Sequence, residues 1–195
     1  MAALKDKLDL IDYLITQILN WRKEIDEREY DESKVLNYLG CVPLMKMQYI
    51  ISLLTVRNYS EASQDDKIGL FKYFDSYYAY PKGPVEVDCY YNMSKLSNYS
   101  LDDKGFVRNE TSSNNAPLVI PEPLVIRIKS SFDKLSSCKG FDFWNKEFLI
   151  DLTHRTWLWR DVYTPDDYIQ MNTKTEDNLI DDALRLRRIL DNELS

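Results

Sequence analysis

Residues 3–28 read ALKDKLDLIDYLITQILNWRKEIDER and carry the clearest structural signal in the chain. Their apolar residues recur at steps of three and four positions, which is the period of an α-helix, and charged residues fill most positions between them. The segment therefore predicts a long amphipathic helix with a charged outer face. The predicted apolar face consists of Leu4, Leu8, Ile11, Ile15, Ile18, Leu19, Trp21 and Ile25.

Later segments repeat this helical spacing between Gly and Pro residues. Gly40 is expected to cap the C-terminal end of a second helix, because it has no Cβ. Pro43 and Pro84 are each expected to open a further helix, the latter reaching about Leu96, because proline fits the first helical turn. The remaining predicted helices cover about 124–137, 141–154 and 175–193.

Strand signals are few. The run YYAY at 77–80 is rich in strand formers, so residues 60–81 predict a helix followed by an extended stretch. We expect a mainly α fold, a single compact multi-helix domain with at most a short β-hairpin or extended segments near 77–82 and 105–108.

Composition excludes several classes of function. The 195 residues include 25 Lys or Arg, 32 Asp or Glu and one His, giving a formal charge of −7, and 44% are hydrophobic. One domain of this length can bury its own core. The acidic balance disfavours binding to phosphate backbones, so no nucleic-acid partner is expected.

The N-terminal segment interrupts its apolar residues with charge, which predicts neither a signal peptide nor a membrane span. Three cysteines without motif spacing are typical of reduced thiols, so we expect a cytoplasmic protein with no membrane partner. The five glycines are dispersed and no Cys/His pair has zinc-ligand spacing. Neither a cofactor nor a metal is therefore expected.

The sequence offers little evidence for a catalytic site. His154 is the sole histidine, and a histidine at a helix end is more often a cap or a buried hydrogen-bonding residue than a catalyst. The pairs Asp9 with Asp12 and Asp181 with Asp182 are expected on solvent-facing helix positions, where their pKa values would not be perturbed. No catalytic residue is predicted.

Aromatic residues favour a protein-binding function, because tyrosine and tryptophan are enriched at interface hot spots. The chain holds 14 Tyr, 7 Phe and 4 Trp. Most of these rings should fill the core, and rings near helix breaks are the best candidates for a partner surface. The candidates are Tyr77, Tyr78, Tyr80, Tyr91, Trp157 and Trp159.

Three segments together resemble one known family. KMQYII at 46–51 resembles the K-L-L-Y helix that opens the Panacea domain, also described as the SocA-like antitoxin or phage-associated GepA-like domain. AYPKGPVEVDCY at 79–90 resembles its A-W-x-x-G-P-V-V-P-x-L-Y signature, and LIDLTHRTWLWRD at 149–161 resembles its L-S-x-L-T-H-x-x-x-x-W-K motif. The matching positions are Lys46, Tyr49, Ala79, Gly83, Pro84, Val85, Tyr90, Leu149, Leu152, Thr153, His154 and Trp159.

The resemblance spans residues 46–160, with departures. Tyr80 stands where Trp is common, and Arg160 replaces the usual Lys. About forty residues precede the familiar start, so we expect an N-terminal helical extension, 1–40, packed on a Panacea-like domain, 41–195.

The motif residues make physical sense as scaffold. Gly83 allows a turn where a Cβ would clash, and Val85 is placed to pack beneath it. Thr153 and His154 are expected to hydrogen-bond carbonyls at a helix end while Trp159 folds back over it.

The resemblance implies an antitoxin of a toxin–antitoxin or prophage-associated module. Such a protein neutralises a cognate toxin by direct binding or delivers it to a protease as an adaptor. The acidic charge of this chain predicts a basic contact face on the toxin. The alternative is a non-enzymatic interaction or regulatory protein of a mobile element without a toxin partner, and a His154-dependent enzyme is the least favoured reading.

Overall fold

The computed structural model describes residues 2–26, 28–57, 67–110, 120–173, 175–192 and 194. Within these ranges the chain forms eight helices and five short strands, so the predicted mainly α fold is confirmed. The helices are α1 (Leu4–Asp26), α2 (Glu32–Tyr38), α3 (Cys41–Thr55), α4 (Val87–Tyr90), α5 (Glu122–Ser136), α6 (Lys146–His154), α7 (Trp157–Arg160) and α8 (Glu176–Asn192). The strands are β1 (Tyr77–Tyr80), β2 (Gly83–Glu86), β3 (Tyr99–Leu101), β4 (Phe106–Arg108) and β5 (Ile169–Gln170).

Helix α3 is the centre of the fold. Every residue from Pro43 to Thr55 is buried, as expected for a helix that is apolar on most of its circumference. It contacts α1, α5, α6, α8 and strand β2. Helix α1 packs its apolar face against α2, α3, α4 and α5, and its buried side chains belong to the same hydrophobic core as those of α3. The expected N-terminal extension, 1–40, and the expected domain, 41–195, therefore share one hydrophobic core.

Two small antiparallel sheets complete the fold. Strands are ordered β2-β1-β5 in one sheet and β3-β4 in the other. In β1, Tyr77 and Ala79 are fully buried, whereas Tyr78 and Tyr80 are half-buried on the opposite face, as the alternation of a strand requires. The extended segments predicted near 77–82 and 105–108 are thus both paired strands.

The helix predicted from Pro84 to Leu96 is wrong. Pro84 lies inside strand β2, and only one helical turn, α4, follows. The strand accommodates Pro84 opposite Ala79, and the Glu86 carboxylate then caps α4 by accepting a hydrogen bond of 2.8 Å from the Cys89 N–H. Because α4 ends at Tyr90, the chain continues as a turn and a short 3₁₀ segment.

Two other boundary predictions change. Gly40 directly precedes α3 rather than capping α2, whose C-terminal cap is Leu39, and α3 begins two residues before Pro43. In the mixed segment 60–81, the described part contains a 3₁₀ turn at Gly69–Lys72 before β1. Residues 60–66 of that segment lie outside the described residues.

A buried lysine fastens α1 to the hairpin region. Lys7 is only 1% exposed, and its Nζ lies 2.6–2.7 Å from carboxylate oxygens of Asp75, Glu86 and Asp88. Burial alone lowers the pKa of Lys7, but the three carboxylates outweigh it and raise this pKa above its usual value. The ammonium is therefore charged and joins α1 to the segment before β1, to β2 and to α4.

Two carboxylates expected at the surface are buried instead. Asp12 of α1 is 2% exposed and accepts hydrogen bonds from the backbone N–H groups of Ser97 and Asn98. Asp182 of α8 is fully buried, and burial raises the pKa of both carboxyls. Since each one accepts backbone hydrogen bonds across the fold, these acids are structural and the expectation of solvent-facing positions is wrong for them.

We predict that Lys7→Met destabilises the protein strongly. Removal of the ammonium leaves three clustered carboxylates without their cation, a change that costs about 3–5 kcal/mol of unfolding free energy in buried ion pairs. Urea unfolding followed by circular dichroism measures the loss. Lys5→Met is the matched control, because Lys5 forms an exposed pair with Asp9, and it should change stability little. Equal effects of the two substitutions would contradict this account.

Candidate functional site

The three segments that resemble the Panacea domain meet at Gly83. This residue closes the β1–β2 turn with φ +92°, in the region that favours glycine. A Cβ placed here would lie 2.6 Å from Thr153 Oγ1, 3.3 Å from Lys46 Nζ and 3.4 Å from His154 Cδ2. Side chains from α3 and α6 therefore converge on the backbone of the hairpin, although they are distant in sequence.

Lys46 holds the hairpin from the α3 side. Its side chain is 1% exposed, and Nζ donates a hydrogen bond of 2.5 Å to the Pro84 carbonyl. No ion pair to a carboxylate is found for Lys46 among the described residues. Burial lowers the pKa of Lys46 to about 7. A buried lysine that binds only a backbone carbonyl thus loses its charge near neutral pH.

His154 and Trp159 hold the hairpin from the other side. Their rings stack at a centroid distance of 3.8 Å, and Trp159 Nε1 donates a hydrogen bond of 3.0 Å to the Tyr80 carbonyl. His154 is the last residue of α6 and is half-buried. Thr153 Oγ1 donates to the Ile150 carbonyl at 2.9 Å. Thr153 thus hydrogen-bonds a carbonyl near the end of α6, and the Trp159 ring lies over His154.

The environment of His154 does not suit a general base. Its Nε2 atom is buried and has no hydrogen-bond partner within the described part of the chain. Burial lowers the pKa of His154, and a charge on Lys46 lowers it further. A base must reach a substrate proton directly or through one water molecule, and this nitrogen faces packed protein.

We define the cluster of Lys46, Gly83, Pro84, Thr153, His154 and Trp159, all buried except the half-buried His154, as the hairpin clamp. Tyr49 is fully buried beside it and donates a hydrogen bond of 3.2 Å to Thr156 Oγ1. Of the other motif residues, Ala79, Val85, Leu149 and Leu152 are buried, whereas Tyr90 is 38% exposed. The evident effect of the clamp is to fix the hairpin against α3 and α6.

On the outer side of the hairpin, four rings form what we name the tyrosine surface: Tyr80, Tyr90, Tyr91 and Tyr168. Tyr80 stacks on Tyr168 with centroids 4.5 Å apart, and Tyr90 meets Tyr91 edge to face at 5.2 Å. The Tyr80 and Tyr91 hydroxyls lie 2.9 Å apart, within hydrogen-bond distance. Tyr91 is 69% exposed and Tyr168 61%, whereas Tyr80 is half-buried. Burial and the neighbouring tyrosines raise the pKa of Tyr80 to about 12, so this hydroxyl stays protonated.

The predicted partner residues separate into different environments. Tyr77 is fully buried and Trp159 is 6% exposed, so neither belongs to an exposed surface. Tyr77 fills the core face of β1, and Trp159 belongs to the clamp. Tyr78 is half-buried, Tyr80 and Tyr91 lie on the tyrosine surface, and Trp157 is 39% exposed beside Arg185 on α8.

Two important residues were not singled out from the sequence. Tyr168 lies in a polar segment and precedes a strand of two residues, β5, which is too short to produce an alternating pattern. In the sequence, Lys7 looks like any other charged residue on the polar face of α1. Its carboxylate partners lie 68 to 81 residues away, so the sequence pattern does not indicate the pairing.

The structure also bears on metal binding. In the described ranges, Asp75, Glu86 and Asp88 form the one group of three acids whose ligand atoms lie within 4.8 Å of one another. The Lys7 ammonium sits among these oxygens and supplies their positive charge. The arrangement is therefore an ion-pair cluster, in which an ammonium takes the position that a cation would need.

Comparisons with known proteins returned no match among protein-family models, curated proteins or solved structures. The resemblance to the Panacea domain therefore rests on the residues of this chain. Among the described helices, none combines the length and apolar character that crossing a bilayer requires.

We predict that Gly83→Ala destabilises the protein by about 2–4 kcal/mol, through the positive φ and the crowding by Thr153. Gly40→Ala is the matched control, because no atom lies within 4 Å of the Cβ it would introduce. Thermal and urea unfolding of both variants measure the difference. If the Gly83→Ala variant were as stable as the Gly40→Ala control, the claim that the hairpin packs tightly against α6 at Gly83 would be refuted.

A second prediction concerns pH. The pKa of Lys46 falls from its usual 10.5 to about 7 in the folded protein, so the unfolded chain holds one more proton between these values. Stability should therefore rise with pH in this window, and Lys46 should contribute about 1 kcal/mol per pH unit between pH 7.5 and 9.

Urea unfolding across this pH range tests the contribution. Lys46→Met removes this titrating group and keeps all others. The increase in unfolding free energy between pH 7.5 and 9 should therefore be smaller in the variant, by about 1 kcal/mol per pH unit. The test compares only how the unfolding free energy of each protein changes with pH, so a difference in absolute stability between the two proteins does not affect it. Parallel pH profiles for wild type and variant would contradict a neutral Lys46.

Proposed function

We propose that this protein is a non-catalytic antitoxin that neutralises a cognate protein toxin by direct contact through the tyrosine surface. One observation carries the proposal: six of the residues that resemble the Panacea domain form a largely buried clamp, and exposed tyrosine rings, including Tyr90 of the same resemblance, lie on the outer side of the hairpin. The burial of five of the six clamp residues supports a scaffold role for the motif. Rings held by mutual contacts support a binding role for the outer face.

The contacts among the rings favour binding. Interface aromatics contribute large contact area with few rotatable bonds, and each ring already fixed by a neighbour loses less freedom when a partner docks. Tyr80 is fixed by stacking on Tyr168 and by the Trp159 bond to its carbonyl. The more exposed rings, Tyr91 and Tyr168, remain accessible at the rim.

The environment of His154 supports this function over an enzymatic one. Its buried Nε2 and its stacking under Trp159 account for the histidine as part of the clamp. The buried carboxylates Asp12 and Asp182 accept backbone hydrogen bonds and are likewise occupied. An acidic chain with these features is suited to recognition of a basic protein surface.

Co-expression with the product of the neighbouring gene tests the proposal. We expect the chain to restore growth and to copurify with that product. The double variant Tyr91→Ala/Tyr168→Ala should fold normally and lose most of the neutralisation, because it removes the two most exposed rings. Growth assays and affinity copurification give the result.

Matched control variants are Leu101→Ala and Ile126→Ala, which remove exposed apolar side chains elsewhere. These should neutralise as wild type does. Neutralisation that persists in cells lacking ATP-dependent proteases supports direct binding over an adaptor mechanism. Failure of the wild-type chain to restore growth and to copurify would reject the antitoxin function.

A further inference from the structure

Exposed carboxylates adjoin the residues of the tyrosine surface along the chain. Tyr168 follows Asp166 and Asp167, both exposed, whereas Asp161 of the same segment lies 3.8 Å from the exposed Arg160. Asp88 precedes Tyr90 on the adjacent helix, and 45% of its side chain is exposed. Exposed bases are present as well, since Lys82 lies in the β1–β2 turn and Lys95 lies four residues after Tyr91.

Asp88 belongs to the ion-pair cluster that Lys7 forms with Asp75 and Glu86. Lys7 contributes one positive charge to three carboxylates, so the cluster as a whole is negatively charged when these acids are ionised. The Lys7 hydrogen bond keeps the pKa of Asp88 below its usual value despite partial burial, which tends to raise it. Asp88 is thus anionic at neutral pH, two residues before Tyr90 in the chain.

This combination selects one side-chain chemistry. A guanidinium stacks on the face of an aromatic ring and pairs with a carboxylate through two parallel hydrogen bonds. An ammonium is more strongly hydrated and cannot form that planar fork. Neighbouring rings with carboxylates beside them therefore match arginine better than lysine.

We propose that the tyrosine surface binds an arginine-bearing segment of the partner protein. The inference rests on the proposed function, because it names the chemistry of the contact face that the toxin presents. The guanidinium stacks on Tyr91 or Tyr168, and Asp166 and Asp167 supply the paired charge. Contact at this surface requires no group from the hairpin clamp.

Fluorescence anisotropy with three labelled peptides tests the proposal on the full chain. The probes are nine-residue Gly/Ser peptides with three arginines, three lysines or three glutamates at the same positions. We expect the arginine peptide to bind about fivefold more tightly than the lysine peptide. Binding of the glutamate peptide should be weaker than either.

Variants then locate the site. Tyr91→Ala/Tyr168→Ala should weaken binding of the arginine peptide about tenfold, and Asp166→Asn/Asp167→Asn about fivefold at 50 mM salt. The matched control Asp103→Asn/Asp133→Asn removes two exposed acids elsewhere and should leave it unchanged. Trp157→Ala, which removes an exposed ring at another surface, should also leave it unchanged.

Equal affinity for the arginine and lysine peptides would overturn the inference. It would also be overturned if Trp157→Ala abolished binding of the arginine peptide while Tyr91→Ala/Tyr168→Ala retained it. Its failure is distinguishable from failure of the antitoxin function. Rescue of growth without arginine-selective binding rejects the inference alone. Arginine-selective binding at the tyrosine surface without rescue rejects the toxin as partner and leaves the recognition chemistry in place.

Discussion

The hydrogen bond from Lys46 Nζ to the Pro84 carbonyl is the contact on which the proposed site depends. It links the central helix to a hairpin that has only four residues in each strand and could not persist alone. Thr153 and His154 close on the same turn from α6, and only a glycine leaves room between them. The orientation of Tyr80, and of the rings that contact it, follows from this packing.

Buried charged side chains join the irregular segments to the helices. Lys7 connects α1 to three carboxylates around the hairpin, Asp12 binds the backbone before β3, and Asp182 binds the first N–H groups of α7. Each interaction satisfies groups that a purely apolar core would leave unpaired. Short strands and single-turn helices are therefore placed by a few long-range polar contacts, while the long helices are placed by apolar packing.

The sequence predicted well those features that depend on periodicity. Helices α1, α5 and α8 present apolar stripes long enough to be recognised, and their observed bounds differ from the expected ones by one or two residues. Pro84 was misassigned because Gly-Pro precedes helices and also occurs in tight hairpins, and the choice depends on Lys46 and Thr153 from elsewhere in the chain. The strand β5 has no periodic signal, so the ring of Tyr168 could not be placed beside Tyr80. The resemblance indicated all six residues of the clamp, whereas the burial of Tyr77 and Trp159 required the structure.

Hydrogen–deuterium exchange of the protein with and without its partner tests the central claim most directly, because it reports both sides of the hairpin at once. The account predicts slow exchange in α3 and α6 in both states, with new protection on binding confined to residues 80–92 and 163–171. Protection that appears instead around Trp157 and α8, leaving the tyrosine surface unchanged, would contradict it.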